Sequence, residues 1–323
     1  MIKIDKPDSK ILEALVQNSR LPLTKLCKFA HLSRENAHYR LNRLMKLGVV
    51  KSLNAIVNTE LLGFKQNSLF LQLNKINKQK ENQIISVLKN HKSISWIGLL
   101  TGRWSLAIDI YARNEEELAR NLHEILNICG NHIGEYALLP IEVKEYFIYK
   151  VINLKPKNSE IKHPIIRPKM DKINFRIIEM LNANSRTTYA ELSKYLKLTA
   201  NAIKKRIKLL EKEKIILGYS SLLNHKSLGY EWYGLQLKLI KFDDKSIEDF
   251  IKYLREHPKV IFYYKYVSGF WNFDLGVLVK ESSELRDFIN ELRDKFAETI
   301  KINDSFLLLE EITENVLPKI MFL

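Results

Sequence analysis

A row of cationic side chains lies on one side of the helical stretch that we predict at residues 200–216. An α-helix turns by about 100° per residue, so these side chains project within about 60° of the direction of Asn201 around the helix axis. They are Lys204, Lys205, Lys208 and Lys212. Ile203, Ile207 and Leu210 fall on the opposite side, where they can pack on a core. This division is typical of a helix that enters the major groove of DNA. A solvated lysine face on a surface helix is the other interpretation of this segment alone.

A second helix with the same apolar spacing is predicted for residues 34–47. Its inward positions are Ala37, Leu41 and Leu44, and its outward stripe is less cationic but richer in groups that hydrogen-bond base edges. The predicted DNA-contacting residues of this segment are Ser33, Arg34, Glu35, His38, Tyr39, Asn42, Arg43 and Lys46. Those of the later segment are Thr199, Asn201, Lys204, Lys205, Lys208 and Lys212. Ser33 and Thr199 are also the predicted N-caps of the two helices.

The two helices belong to a tandem repeat with an offset of 166 residues. "IDKPDSKILEALVQNSR" at 4–20 matches "MDKINFRIIEMLNANSR" at 170–186, and "LLGF" at 61–64 matches "SLGY" at 227–230. After a one-residue slip, "TGRW" at 101–104 matches "SGFW" at 268–271. The repeat therefore covers nearly the whole of each half, which indicates a duplicated unit of two domains and not a solenoid.

Positive charge is concentrated in short parts of the repeat. Of the formal net charge of +15, residues 1–53 carry +7, residues 155–169 carry +4 and residues 170–219 carry +6. The remaining segments, 54–154 and 220–323, carry +1 and −3. A general lysine bias would raise every segment alike, so the segregation favours a polyanionic partner, and double-stranded DNA is the partner we predict.

Each half divides again into a helical part and a mixed part. Three helices and a short β-rich stretch, consistent with a wing, are followed by segments in the order βαββαβ, which fits a ferredoxin-like sandwich. The predicted fold class is α+β, with two winged helix-turn-helix domains, each followed by such a sandwich. The predicted boundaries are 1–53 and 54–154, a linker at 155–169 that holds three prolines, then 170–219 and 220–323.

This organisation resembles the Lrp/AsnC family of transcription regulators. The segment "NSRLPLTKLCKFAHLSRENAHYRLNRLMKLGVV" looks like the family's helix-turn-helix pattern, and "NSRTTYAELSKYLKLTANAIKKRIKLLEKEKII" matches it with Lys214 where a glycine usually lies. The resemblance implies a sandwich that dimerises and binds a small effector, often an amino acid. It therefore implies that the two linked sandwiches pair within one chain as a pseudo-dimer, and that further homo-oligomers form.

By this resemblance, the effector would bind near two Gly-containing turns. The candidate effector-binding residues are Thr101, Gly102, Arg103, Trp104, Ser268, Gly269, Phe270 and Trp271. The family often has an Asp after the aromatic residue, but Ser105 and Asn272 lie there. A carboxylate is the obvious partner of an ammonium group, so its absence argues against an amino-acid effector. The competing interpretation is a tight turn that needs glycine between two strands.

The sequence lacks four motifs that are typical of enzymes. A Gly-rich phosphate loop, HExxH, CxxC and a serine elbow are missing, and the eight histidines form no i, i+4 pair. We therefore predict a protein that is not an enzyme and needs no cofactor or metal. Siroheme decarboxylases of haem biosynthesis resemble the same two-domain unit and are the enzyme alternative. A ligand sensor that does not bind nucleic acid is the third class. With no apolar run long enough to span a bilayer and no signal peptide, we expect a cytoplasmic location and no membrane partner.

Overall fold

A computed structural model describes residues 2–147, 170–267, 269–312 and 316–322. The predicted linker at 155–169 and Ser268 lie outside the described residues. The first half of the chain holds α1 (Lys6–Gln17), α2 (Leu23–Ala30), α3 (Arg34–Lys46), β1 (Val50–Val57), β2 (Lys65–Leu73), α4 (Lys78–Leu88), β3 (Ile94–Thr101), β4 (Leu106–Ala112), α5 (Glu115–Cys129) and β5 (Ile133–Tyr146).

The second half repeats this order of elements. It holds α6 (Lys172–Ala183), α7 (Tyr189–Leu196), α8 (Ala200–Lys212), β6 (Ile216–Leu223), β7 (Glu231–Leu239), α9 (Asp244–Glu256), β8 (Val260–Tyr266), β9 (Phe273–Val279), α10 (Ser282–Phe296) and β10 (Ile300–Glu311). The predicted three helices and βαββαβ order are confirmed in both halves.

The chain forms two compact units, and each half contributes to both. The helical unit contains the described residues of Met1–Phe64, Ile161–Leu228 and Glu314–Leu323. The barrel unit contains those of Lys65–Glu160 and Gly229–Thr313. β1 and β6 continue past the predicted domain boundaries at 53 and 219, whose placement stays a prediction.

Local sequence signals explain where the helices of the helical unit begin and end. The Ser33 side chain accepts a hydrogen bond from the Asn36 N–H, and the Thr199 side chain accepts one from the Ala202 N–H, so both predicted N-caps are confirmed. After α3, Gly48 takes the left-handed conformation with φ +67°. Lys214 occupies the same place after α8 with φ +59°, a conformation that residues other than glycine rarely adopt.

The predicted wing strand finds its hydrogen-bonding partner in the opposite half. β1 and β6 pair antiparallel as a two-stranded sheet, with Leu53 opposite Ser221 and Ala55 opposite Tyr219. The helical unit also includes a C-terminal 3-10 helix, Lys319–Phe322, that contacts α6. Ile320 and Met321 of this helix are buried, so the last described segment belongs to the core of the helical unit.

The two four-stranded sheets of the barrel unit join edge to edge at both sides. The strand order is β10-β3-β4-β2-β5-β8-β9-β7, and it closes through β10 and β7. The joins between halves are β5 with β8, where Tyr146 lies opposite Phe262, and β10 with β3, where Leu307 lies opposite Thr101. The predicted pairing of the sandwiches within one chain is therefore realised as a closed eight-stranded barrel.

Successive side chains of a strand point to opposite faces of the sheet, so the strands of the barrel unit contribute to separate hydrophobic clusters on their two faces. Leu69, Leu71 and Ile108 belong to a cluster with α4 and α5, and Leu235, Leu237 and Leu275 to a cluster with α9 and α10. The opposite face of the same strands fills the barrel interior with Phe70, Trp104, Tyr264, Trp271 and Leu308 among others. No helix in the described part of the chain is long and apolar enough to cross a membrane.

Candidate nucleic-acid interface

The outer face of α8 presents its lysines to solvent. Asn201, Lys204, Lys205, Lys208 and Lys212 are all exposed, whereas Ile203, Ile207 and Leu210 are buried. Among the described residues, the side-chain ammonium group of none of these four lysines has an ion-pair or hydrogen-bonding partner. The helix therefore offers a stripe of uncompensated positive charge next to a face that is held by packing.

The corresponding face of α3 is exposed but chemically mixed. Arg34, Glu35, His38, Asn42 and Lys46 are exposed, and so is Tyr39. The Asn42 side-chain amide lies 3.4 Å from the His38 ring nitrogens, so two groups that can read base edges lie next to each other. Ala37, Leu41 and Leu44 are buried beneath them, as the spacing predicted.

Arg43 is turned toward α1 instead of outward. Its Nη2 donates to Asp8 Oδ2 at 2.5 Å, and Arg40 Nη1 donates to the other oxygen of the same carboxylate at 2.9 Å. Asp8 is completely buried. The two arginines thus hold α3 against α1, and the guanidinium of Arg43 is engaged by Asp8 although its side chain is 34% exposed. In the second half, Arg206 donates to Asp171 and Asn174 in the same manner.

The carboxylates that cap α1 and α6, Asp5 and Asp171, have pKa values below their ordinary value. The backbone N–H of Asp8, and next the Arg40 side chain, hold the pKa of Asp5 below its ordinary value. Hydrogen bonds from the Asn174 N–H and Arg206 outweigh the opposing effect of burial and lower the pKa of Asp171. Both groups therefore remain ionised at neutral pH and keep the arginines of α3 and α8 in place.

Sequence reasoning did not find the role of Arg20 and Arg186. Arg20 Nη1 donates to the Ser185 and Thr187 carbonyl oxygens, and Arg186 Nη1 donates to those of Ser19 and Leu21. Each arginine therefore binds the turn of the opposite half. The repeated tripeptide Asn-Ser-Arg was the available signal, but a repeat does not say that its two copies meet.

The candidate effector turns divide into buried and exposed residues. Trp104 and Trp271 are buried in the barrel, with ring centroids 5.8 Å apart, and Phe70 contacts both. Arg103 donates to Glu135 at 2.6 Å and lies over the Trp104 ring, while Phe270 is exposed. The structure thus brings the two tryptophans together as core residues.

The residues that replace the family's Asp have structural partners. Ser105 Oγ accepts a hydrogen bond from the Leu73 N–H, and Asn272 Oδ1 accepts one from the Leu239 N–H. Gly102 and Gly269 have φ values of +104° and +140°, which favour glycine at both turns. These contacts support the tight-turn interpretation for this part of the candidate effector site.

Two carboxylates lie in the barrel interior, where sequence reasoning placed no functional group. Burial raises the pKa of Asp109 to about 6 and raises that of Asp274 well above its usual value. Around them, Lys144 donates to Gln66 Oε1 at 2.8 Å and Tyr146 bonds to Tyr264. Within the described ranges, no group of three or more His, Cys, Asp or Glu residues is arranged to hold a metal ion.

Comparison with known proteins agrees with this geometry. The family described as winged helix-turn-helix DNA-binding matches residues 4–51 and 170–216. The HTH-type transcriptional regulator FL11 of Pyrococcus furiosus is 31% identical over 140 residues, which cover 43% of this chain and 91% of FL11. The HTH-type transcriptional regulator Ptr1 of Methanocaldococcus jannaschii is 25% identical over 122 residues, or 38% of this chain and 80% of Ptr1.

A solved structure matches the chain over nearly its whole length. The siroheme decarboxylase NirDL superposes with a TM-score of 0.66 at 13% identity, covering 98% of this chain and 96% of NirDL. At that identity the likeness shows a shared fold and carries no chemistry with it. FL11, in contrast, matches one half of the chain over almost all of its own length. The chain therefore belongs to the Lrp/AsnC family of helix-turn-helix transcription regulators, and it carries two copies of the family's unit.

Proposed function

We propose that this DNA-binding regulator reads an asymmetric double-stranded site with its two helix-turn-helix domains, as a pseudo-dimer made from one chain. The observation that carries the proposal is the difference between the outer faces of α3 and α8. The lysines of α8 have no partner in the described structure, whereas α3 exposes Asn42, His38 and Glu35 beside its cations. Cations grip phosphates of any sequence, but amide and carboxylate groups distinguish base edges.

In this proposal α3 and α8 have different roles in DNA recognition. α3 supplies most of the base discrimination, with Arg34 near its N-terminus reaching guanine or a phosphate and Asn42 pairing with adenine. α8 supplies most of the phosphate affinity through its lysine stripe. Arg43 contributes mainly by holding α3 against Asp8, so its effect on DNA is indirect. The proposed domain boundaries remain 1–53, 54–154, 170–219 and 220–323.

The remaining parts of the proposal concern partners and location. We propose a cytoplasmic protein without enzymatic activity that associates further through its barrel unit. A small-molecule effector would contact the exposed residues of the two turns, namely Thr101, Arg103 and Phe270, because Trp104 and Trp271 are core residues. The partners of Ser105 and Asn272 leave no carboxylate at these positions for an ammonium group, which disfavours an amino acid.

A genome-wide binding map of the tagged protein, followed by selection from a random duplex library, tests the function. We expect one recurrent motif made of two unlike half-sites, and an affinity that falls steeply with salt because several cations release counterions. A perfectly palindromic motif with equal contributions from both half-sites contradicts the division of work. If neither experiment enriches any sequence, regulation through specific DNA binding is wrong.

The enzyme alternative has its own measurement. A siroheme decarboxylase-like protein would bind a tetrapyrrole, and binding would change the absorbance spectrum of the ligand. We expect no spectral change when siroheme is titrated into the protein at concentrations that saturate a decarboxylase. A saturable change with one equivalent per chain would favour the enzyme.

A further inference from the structure

The turns between the first two helices of each half meet at the centre of the helical unit. Ser19 Oγ lies 2.7 Å from Ser185 Oγ, and both residues are completely buried. The backbone N–H of Ser19 donates to the Tyr219 carbonyl in β6, and that of Ser185 donates to the Leu53 carbonyl in β1. Each turn is therefore anchored in the strand of the opposite half.

The reciprocal arginine contacts tighten this meeting point. Arg20 binds two carbonyl oxygens of the second half, and Arg186 binds two of the first half at 3.0 and 2.9 Å. We call Ser19, Arg20, Ser185 and Arg186 the central clamp. Hydrogen bonds from a charged donor to backbone carbonyls constrain direction as well as distance, so the clamp restricts rotation of one helix-turn-helix domain against the other.

The clamp is stiffer on one side than on the other. The Arg20 guanidinium lies over the rings of Tyr189 and Tyr219, at 5.2 and 5.5 Å from their centroids. Tyr219 Oη donates to Glu211 Oε1 at 2.7 Å, and Glu211 belongs to α8. Arg20 of the first half is thus connected through one ring to the recognition helix of the second half.

Among the residues that the structure describes, the first half has no equivalent of this connection. With the repeat offset of 166, Leu23 and Leu53 correspond to the two tyrosines, and Met45 corresponds to Glu211. The positions that correspond to the two rings beside Arg20 therefore hold aliphatic side chains. Within the described residues, α8 is linked to Arg20 of the first half through Tyr219 and Glu211, and Leu53 and Met45 cannot form the corresponding hydrogen bond to α3.

We infer that the central clamp and the Arg20–Tyr219–Glu211 connection determine which spacing between two DNA half-sites the chain accepts. This inference rests on the proposed function, in which α3 and α8 contact the two half-sites. One added base pair moves the second half-site by about 3.4 Å and rotates it by about 34° around the duplex axis. A rigid link between the helices cannot follow that change, whereas a loosened link can.

The experiment measures the affinity of the full-length chain for duplexes whose half-sites are separated by the selected spacing or by one or two base pairs more or fewer. For the wild type we expect one optimum and a loss of about tenfold or more for a one-base-pair change. For Arg20→Ala we expect that penalty to fall to about threefold, with a smaller change at the optimum. Tyr219→Phe, which keeps the ring but loses the Glu211 bond, should give an intermediate penalty.

A matched control and a folding measurement make the outcomes distinct. Arg120→Ala, on the exposed face of α5 and paired only with Glu116 in the described structure, should keep the wild-type spacing profile. If Arg20→Ala does not fold by circular dichroism, Tyr219→Phe decides. Folded variants that keep the wild-type penalty overturn the inference although DNA binding stands. A wild-type chain that binds none of the duplexes overturns the proposed function and, with it, this inference.

Discussion

Ser19 Oγ and Ser185 Oγ lie 2.7 Å apart although 166 residues separate them in the chain. Both side chains are fully buried, and they occupy the same place in the two copies of the repeat. Either hydroxyl can donate to the other, so neither is left without a partner. This contact joins the two helix-turn-helix domains at the point where the two halves are equivalent.

Removal of one of these hydroxyls should lower the unfolding free energy by more than half of the loss caused by removing both. Ser19→Ala leaves the Ser185 hydroxyl buried without that partner, which costs about 1–3 kcal/mol of unfolding free energy. Adding Ser185→Ala should cost little more, because no polar group then remains unpaired. Urea unfolding of the two single variants and the double variant measures this coupling. Exposed Ser9→Ala is the control, and strictly additive single effects would contradict the prediction.

Charge reversal on α8 should abolish DNA binding. The triple variant combines Lys204→Glu, Lys205→Glu and Lys208→Glu. Three cations of the stripe then become anions that face the phosphates, so we expect no measurable affinity for DNA at physiological salt. The corresponding alanine variant should make the fall of log affinity with log salt less steep by about 3 in slope.

The control for charge reversal lies in the barrel unit. Reversing Lys241, Lys245 and Lys252, in and before α9, changes the net charge by the same amount on exposed positions. Mobility shift and fluorescence anisotropy at several salt concentrations compare the two triple variants. Retained specific binding by the α8 variant would show that α8 does not contact DNA.

Replacement of Asp8 should destabilise the first helix-turn-helix domain. Its buried carboxylate accepts from Arg40 and Arg43, and Asp8→Ala would leave both guanidinium groups without this partner. The arginine side chains are 20% and 34% exposed, so solvent replaces part of the lost interaction and we expect a cost of about 1–3 kcal/mol. Asp8→Asn, which copies Asn174 of the second half, should cost less. Thermal unfolding checks the order, and an Asp8→Ala variant as stable as the wild type would refute it.

The left-handed residue after α8 should respond to substitution in the opposite sense to its counterpart after α3. Lys214 adopts φ +59° with a Cβ atom, so Lys214→Gly should stabilise the chain by up to about 1 kcal/mol. Gly48→Ala should destabilise it by about 1 kcal/mol because φ there is +67°. Denaturation midpoints of the two variants test this, with exposed Lys212→Gly, inside the helix, expected to be destabilising.

The pH dependence of stability should reflect the half-buried carboxyl of Asp109. Its pKa of about 6 in the folded chain lies above its ordinary value, so the folded state binds the proton more tightly than the unfolded state. The contribution of Asp109 to stability therefore falls as pH rises from about 4 to about 6, and is constant above that. Asp109→Asn should lose this part of the pH profile and be more stable than the wild type at pH 8. Thermal unfolding between pH 5 and 8 checks the sign, and parallel profiles would contradict it.

The features that depend on neighbours along the chain could be predicted from the sequence. Helical and strand periodicity located the three helices and the βαββαβ order in both halves, and Ser33 and Thr199 marked helix starts because capping is local. The lysine stripe of α8 could be read directly, since the turn of a helix fixes which side chains share a face.

The choice of which copy of each element pairs with which depends on contacts between the two halves and could not be predicted. β1 has the same alternation whether it forms a wing in its own half or pairs with β6, so the pattern could not choose between them. For the same reason the meeting of Arg20 with Ser185, the closure of the barrel and the burial of Trp104 against Trp271 were not accessible. These contacts join residues of opposite halves, and their stability depends on packing that no local periodicity encodes.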